Sequence, residues 1–187
     1  MRKDAQQNRD KILTTATELF QERTVAEVSM KDIAAAAKIG PGTLYRHFPN
    51  KNELCSALAL RFIDQFLSSC QDYLTQTTAT PVAQLKHVLA QYIIFRERRL
   101  QLLAFVETGP TVMSTYYQSD LYHRLVQLFK RVLHPVNKSV NDAELTFQAD
   151  MLIAMLKSDS YAFQRQQRKL SQAQLEQLIT RLLVMKD

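Results

Sequence analysis

Five consecutive residues, Lys38-Ile39-Gly40-Pro41-Gly42, hold two of the three glycines and one of the five prolines in a chain of 187 residues. Glycine and proline are the strongest local interrupters of regular structure, so this is where the chain is expected to turn most sharply. Elsewhere such breakers are sparse. Three glycines are too few for the tight turns of a sheet protein, and no segment shows the alternation of a half-buried strand. Apolar residues make up 46% of the chain. They recur at the three- and four-residue spacing of a helix face, among abundant Leu, Gln and Ala that favour helix. The predicted class is all-α, with about nine helices.

The breaker cluster separates two short helices. Before it, Met30 to Ala37 puts Ile33, Ala34 and Ala37 on one side. Ser29 stands at the N-cap position, with Asp32 three residues on. After it, Thr43 to Phe48 pairs Leu44 with Phe48 at i, i+4, and Pro49-Asn50 ends the segment. Upstream, a helix over Asp4 to Arg23 lines up Ile12, Leu13, Ala16, Leu19 and Phe20. Downstream, Asn50 and Glu53 open a long helix reaching about Thr77. Further helices are expected over Pro81 to Arg96, Leu100 to Glu107 (ending at Gly109-Pro110) and Ser119 to Leu133 (closed by His134-Pro135). Two more cover Asp142 to about Gln166 and, opened by Ser171 and Gln174, the stretch to about Met185. The organisation expected is a small helical domain over residues 1–54 and a larger one over 55–187.

Several classes of function are excluded on composition and spacing. Tyr45 stands where a third glycine would complete a G-x-G-x-x-G loop, no strand precedes it, and no phosphate-loop motif exists. Cys55 and Cys70 on one helix would lie roughly 22 Å apart, beyond disulfide reach. They read as two small core residues, and the four histidines form no ligand pair. No nucleophile–base pair is recognisable, so an enzyme, a metal and a cofactor are all unexpected. The apolar runs, such as Leu102 to Val106, are far short of a membrane span, and the N-terminal MRKDAQQNRDK lacks a signal-peptide core. The expected location is cytoplasmic, without membrane contact. The net charge of +6 and pI near 9.4 lean toward an anionic partner. Residues 1–54 carry 9 Lys/Arg against 7 Asp/Glu and residues 55–187 carry 15 against 11, so no single tail holds the excess. Arg96, Arg98 and Arg99 read as a solvated helix face.

Two short helices around a tight turn, with the small Ala34 inside the first, have the architecture of a helix-turn-helix. With Leu44 and Phe48 turned inward, Thr43, Arg46 and His47 turn outward. Arg can bond guanine through two N–H groups, and Thr can meet a hydrogen-bond acceptor or a thymine methyl. Lys31, Lys38, Tyr45, His47 and Lys51, in or beside the motif, carry groups suited to phosphates, and the Asn50-Lys51 helix start adds free N–H groups.

The stretch from Val28 to Leu54 resembles the DNA-binding domain of the tetracycline-repressor (TetR) family. Its hallmark is a recognition helix reading T-L-Y-x-H-F, followed by a spacer, Lys and Leu. Thr43 through Leu54 carry all of these, and the likeness covers roughly residues 9–54. Thr24 and Lys38 depart from it, standing where the family usually has glycines. The resemblance implies that Thr43, Arg46 and Lys31 face the groove. It implies that Tyr45, His47 and Lys51 hold phosphates, and that Ser29 caps its helix while touching the backbone. Lys38 and Gly42 complete the expected DNA-binding set.

The resemblance also implies that residues 55–187 bind a ligand and dimerise. Phe66, Tyr73, Tyr92, Phe95, Phe105, Glu107, Met113, Tyr116, Tyr117, Met151 and Met155 are the candidates for a pocket among helices four to eight, with plain core as the alternative. Glu107 reads either as a partner for a cationic ligand or as an exposed helix end. Leu145, Gln148, Leu152, Met155, Leu156 and Asp159, with Leu175, Leu178, Ile179 and Leu182, are assigned to a four-helix dimer interface, with intramolecular core as the alternative. The function expected is a ligand-responsive homodimeric repressor. A small-molecule effector of unidentified chemistry would release it from a palindromic double-stranded operator. The alternative is a helix-turn-helix DNA-binding adaptor without an effector.

Overall fold

A computed structural model describes residues 2–107 and 117–184. Among the described residues there are nine α-helices and no strand. They are α1 (Arg2–Glu22), α2 (Met30–Ala36), α3 (Pro41–His47), α4 (Lys51–Gln76), α5 (Pro81–Glu107), α6 (Asp120–Leu133), α7 (Asp142–Met155), α8 (Ser158–Ala162) and α9 (Gln172–Leu183). A 3₁₀ turn, His134–Val136, follows α6, and a π-helical turn, Phe163–Gln167, follows α8.

Five of these helix starts are written locally. The Ser29 hydroxyl accepts from the Asp32 N–H, and the Asn50 side chain accepts from Glu53 N–H at 2.9 Å. Ser119 accepts from Tyr122 N–H at 3.2 Å. Asn141 with Glu144, and Ser171 with Gln174, form reciprocal capping boxes. Each cap satisfies a backbone donor that the first turn leaves without a partner, an effect of about 1 kcal/mol.

Beyond α4, two departures from the expected helix pattern stand out. The helices expected over Pro81–Arg96 and Leu100–Glu107 are one, because Arg96 is buried within α5 and the Glu97-Arg98-Arg99 stretch does not interrupt it. The single helix expected over Asp142–Gln166 is instead broken after Met155, with Lys157 in extended geometry (φ −58, ψ 155).

The chain divides into two compact units, Met1–Phe62 and Ile63–Asp187, and the division falls within α4. The first unit encloses Ile12, Leu13, Ala16, Val28, Ile33, Ala34, Leu44, Phe48, Leu54 and Leu58. The second is built around Leu85, Leu89 and Ile93 of α5, Leu125 and Phe129 of α6, Leu152 and Ile153 of α7, and Leu175 and Ile179 of α9. No described helix is long and apolar enough to cross a membrane.

Candidate nucleic-acid interface

The turn between α2 and α3 is set by its backbone. Lys38 is left-handed, with φ 51. Its N–H reaches the Ala35 carbonyl at 3.0 Å, and the Ile39 N–H reaches the Ala34 carbonyl at 3.1 Å. This pair of bonds is the Schellman ending that usually takes glycine. Keeping a Cβ there costs Lys38 about 1 kcal/mol.

Gly40 then caps α3 from extended backbone, with Pro41 in the first turn. α3 therefore starts two residues before the expected Thr43. Gly42 lies inside the helix, without positive φ, and a Cβ on it would meet nothing within 4 Å. Glycine inside a helix costs up to about 1 kcal/mol against alanine, and nothing among the described residues requires it here.

α3 has two chemically distinct faces. Leu44 and Phe48 are buried, and the Arg9 guanidinium lies over the Phe48 ring, 4.5 Å from its centroid. On the other face Tyr45 is 46% exposed, and Arg46 is exposed with one N–H on the Thr43 hydroxyl at 3.1 Å. That bond occupies only one of the guanidinium's five donors. Thr43 and His47 are half-buried, and Ser29, Lys31 and Lys38 are exposed.

Ser29 and Asp32 cap each other: the Ser29 N–H donates to the carboxylate at 2.8 Å, and the Asp32 N–H donates to the Ser29 hydroxyl at 3.1 Å. These bonds hold the Asp32 carboxyl below its ordinary range, the backbone bond contributing most. The Lys51 ammonium donates to the Ala26 carbonyl at 3.3 Å, tying the start of α4 to the connection between α1 and α2. The unit thus presents Ser29, Lys31, Lys38, Gly42, Thr43, Tyr45 and Arg46 around one turn and one short helix. His47 is partly drawn in, and Lys51 is engaged with the backbone.

Residues 12–58 match the family model described as "Bacterial regulatory proteins, tetR family". An HTH-type transcriptional regulator of Staphylococcus aureus is 33% identical over 172 residues, covering 91% of this chain and 89% of its own. The chain belongs to the TetR family. A second regulator of the same description and species is 30% identical over 175 residues, covering 92% of this chain and 90% of that protein. Two solved structures show the TetR-family fold in full. One is a TetR-family regulator from Pectobacterium atrosepticum, with a TM-score of 0.74 and 19% identity over 100% of this chain and 98% of that one. The other is FadR from Thermus thermophilus, solved in complex with lauroyl-CoA, with a TM-score of 0.72 and 19% identity over 96% of each chain. The helix-turn-helix of this TetR-family protein thus identifies it as a transcriptional regulator.

In the second unit, the residues expected to line a pocket are spread over several environments. Phe66 and Tyr92 are buried and Phe95 half-buried, with the Phe66 ring 5.5 Å from Tyr92 and 5.4 Å from Phe95. Tyr73 stacks on His87 at 3.7 Å, and Tyr117 meets Tyr122 edge-on at 4.9 Å. Phe105 and Met155 are half-buried and Met151 is exposed. Met113 and Tyr116 lie outside the described residues. Two open surface depressions, of about 490 and 430 Å³, are lined by other residues of α4 and α6.

Glu107 is not an exposed helix end, and Arg96 is not on a solvated face. Arg96 is 2% exposed and grips Glu107 through two N–H···O bonds of 2.6 and 3.0 Å. Burial alone would raise the Glu107 carboxyl, but bonds and charge from Arg96 and bonds from Ser158 outweigh it and hold the carboxyl below its ordinary range. Cys55 and Cys70 are buried, which pushes their thiols up to about 11 and about 12.

The assignment of an interface face needs correction. Leu145, Leu152, Leu156, Leu175 and Ile179 are closed within the chain's own core. Gln148 is half-buried and accepts from the Asn137 amide at 2.9 Å. Of the assigned leucines, only Leu178 and Leu182 stay open, Leu182 at 73%. They are joined among exposed large apolar residues by Phe147 at 63% and by Met151. The signal was in the sequence: Phe147–Met151 and Leu178–Leu182 each repeat at i, i+4, beside the stripe that the core takes. A sequence cannot say which of two adjacent stripes its own chain will cover.

Proposed function

We propose that this TetR-family protein is a cytoplasmic homodimeric repressor that reads a palindromic operator through α3 and is released by a small-molecule effector. The observation that carries the reading is the outward face of α3. An exposed tyrosine, an arginine and a threonine stand there together, while the inward face is closed by Leu44 and Phe48.

Arg46, held by Thr43, addresses a guanine edge in the major groove, and Thr43 and Lys31 face the same groove. Tyr45, His47, Lys38, Lys51 and Ser29 bind flanking phosphates and set the register. Gly42 leaves room for the DNA backbone to approach the start of α3, which supplies the reason for a glycine that the chain itself does not need.

Phe147, Met151, Leu178 and Leu182 meet their counterparts in a second copy. Two recognition helices then address half-sites about 34–36 Å apart. The second unit receives the effector among its aromatic side chains. The lauroyl-CoA complex, and FadR from Bacillus subtilis in complex with stearoyl-CoA (TM-score 0.71, 16% identity), support a small molecule with an apolar chain. Effector and operator oppose each other through a coupling of about 1–3 kcal/mol.

The test is selection of bound sites from a random duplex library at several salt concentrations. A palindromic consensus with half-sites one helical turn apart is the expected result. Binding without a consensus, lost steeply with salt, would leave only electrostatic attraction and overturn the reading.

A further inference from the structure

Residues 142–167 contain neither glycine nor proline, yet the helix breaks in their middle. α7 ends at Met155, Leu156 adopts φ −105 and ψ 13, and Lys157 is extended before α8 begins at Ser158. In an unbroken helix the Ser158 N–H would bond to the carbonyl of Ala154, four residues back. Here it donates to the Glu107 carboxylate at 2.9 Å, and the Ala154 carbonyl is taken instead by the Lys157 N–H at 3.2 Å. The Ser158 hydroxyl receives an Arg96 N–H at 2.9 Å. Glu107 and Arg96 stand eleven residues apart on α5, about three turns, which sets them on one face of that helix.

We infer that Glu107 is a latch that holds this helix broken: its carboxylate and the Ala154 carbonyl are alternative acceptors for one N–H, that of Ser158. Arg96 supplies the counter-charge that lets a carboxylate sit in a buried place, and it fixes the Ser158 hydroxyl in the same stroke. The local sequence only weakly opposes the continuous helix. Ser158, Asp159 and Ser160 bond readily to nearby backbone groups, as Asp159 does here with the Ser160 N–H at 2.8 Å, and so weaken the helix at this point. Leu156 and Lys157 carry no such constraint, and the geometry of Lys157 is imposed from α5. The element has two arrangements, broken with Glu107 engaged and continuous with Glu107 withdrawn. Such a bistable element is the kind of part that converts a small local event into a rearrangement.

The test reads the backbone of Lys157 directly. Carbonyl-¹³C lysine and ¹⁵N serine label the peptide bonds that join a lysine to a following serine. The full chain has two of these, Lys138–Ser139 and Lys157–Ser158. Ser158→Pro removes the second signal and so assigns it. That variant also suits the broken state, since an extended residue before proline and proline in a first turn are both favoured.

The Lys157 carbonyl resonance is expected at an extended position in the native chain. It should move to the helical side in the double variant Glu107→Leu with Arg96→Met, which removes the acceptor and its counter-charge together, while Lys138 stays in place. Glu107→Asp keeps the charge for Arg96 but draws the carboxylate back by one methylene, and it is expected to give the same shift. If both variants fold, by the unchanged Lys138 signal, and Lys157 stays extended, the latch is refuted.

Discussion

Arg46 and Arg96 are the same residue put to opposite uses. Arg46 lies on α3 in water, bonded to a neighbouring hydroxyl. Arg96 lies within the second unit, 2% exposed, bonded to a buried carboxylate and a buried serine. A charge kept in water at the surface contributes little to folding and remains available to an outside partner. A buried charge is costly unless paired, so its partners become obligatory. The first unit therefore spends its polar side chains on a surface, and the second uses several of them to organise its interior.

A large loss of folding stability is expected from Arg96→Met. It leaves Glu107 buried without its counter-ion, and a loss of about 3–5 kcal/mol is expected in urea unfolding. Arg96→Met combined with Glu107→Leu should recover most of that loss, and Arg46→Ala should move stability by less than about 0.5 kcal/mol. Equal effects of the two arginines on unfolding would end the contrast. The pair also sets a pH limb. The Glu107 carboxyl lies below its ordinary value of 4.5 in the folded chain, so the unfolded chain binds its proton first as pH falls. Its contribution is complete above pH 4.5 and declines below it, and Glu107→Gln should flatten the acid limb of a stability–pH curve.

On DNA the order reverses. Arg46→Ala is expected to lose about 1–3 kcal/mol of affinity for the selected site and to relax the preference at one base position. Unchanged binding in a fluorescence titration would remove α3 as the reading helix. Leu182→Glu should leave the thermal unfolding midpoint nearly unchanged but weaken self-association at least tenfold, about 1.4 kcal/mol, by sedimentation. Leu152→Glu, on the same apolar system but inside the core, should instead prevent folding. The smallest effect is Lys38→Gly. Relief of the left-handed strain is partly offset by chain entropy, for a net gain of up to about 1 kcal/mol. If Lys38 touches a phosphate, the salt slope of binding should fall by about one in the same variant.

The DNA-reading motif was legible because its signals are short-range. Ser29 and Asp32 are three residues apart, Leu44 and Phe48 four, and the breaker cluster spans five. Lys38 stands where the resembled family usually has glycine, and its left-handed backbone, φ 51, shows what that glycine would have eased. The second unit was less legible. Arg96 among charged neighbours looked solvated, because the expected break before Leu100 put its main partner, Glu107, on another helix, and its other partner, Ser158, is 62 residues away. Glu107 looked exposed for the same reason, with Ser158 51 residues away.

The all-α class, the caps at Ser29, Asn50 and Ser171 and the two short helices that meet at the Lys38–Gly40 turn follow from the sequence. Each of these depends on hydrogen bonds and apolar spacings within a few residues. Tertiary structure alone decided that α5 runs unbroken through Arg96, that the helix after Asp142 breaks at Lys157, and that Leu152 rather than Phe147 faces the core. Those outcomes depend on which groups meet across tens of residues. There a buried charge, a single N–H or an apolar stripe takes the partner that packing provides, against a local preference too weak to decide.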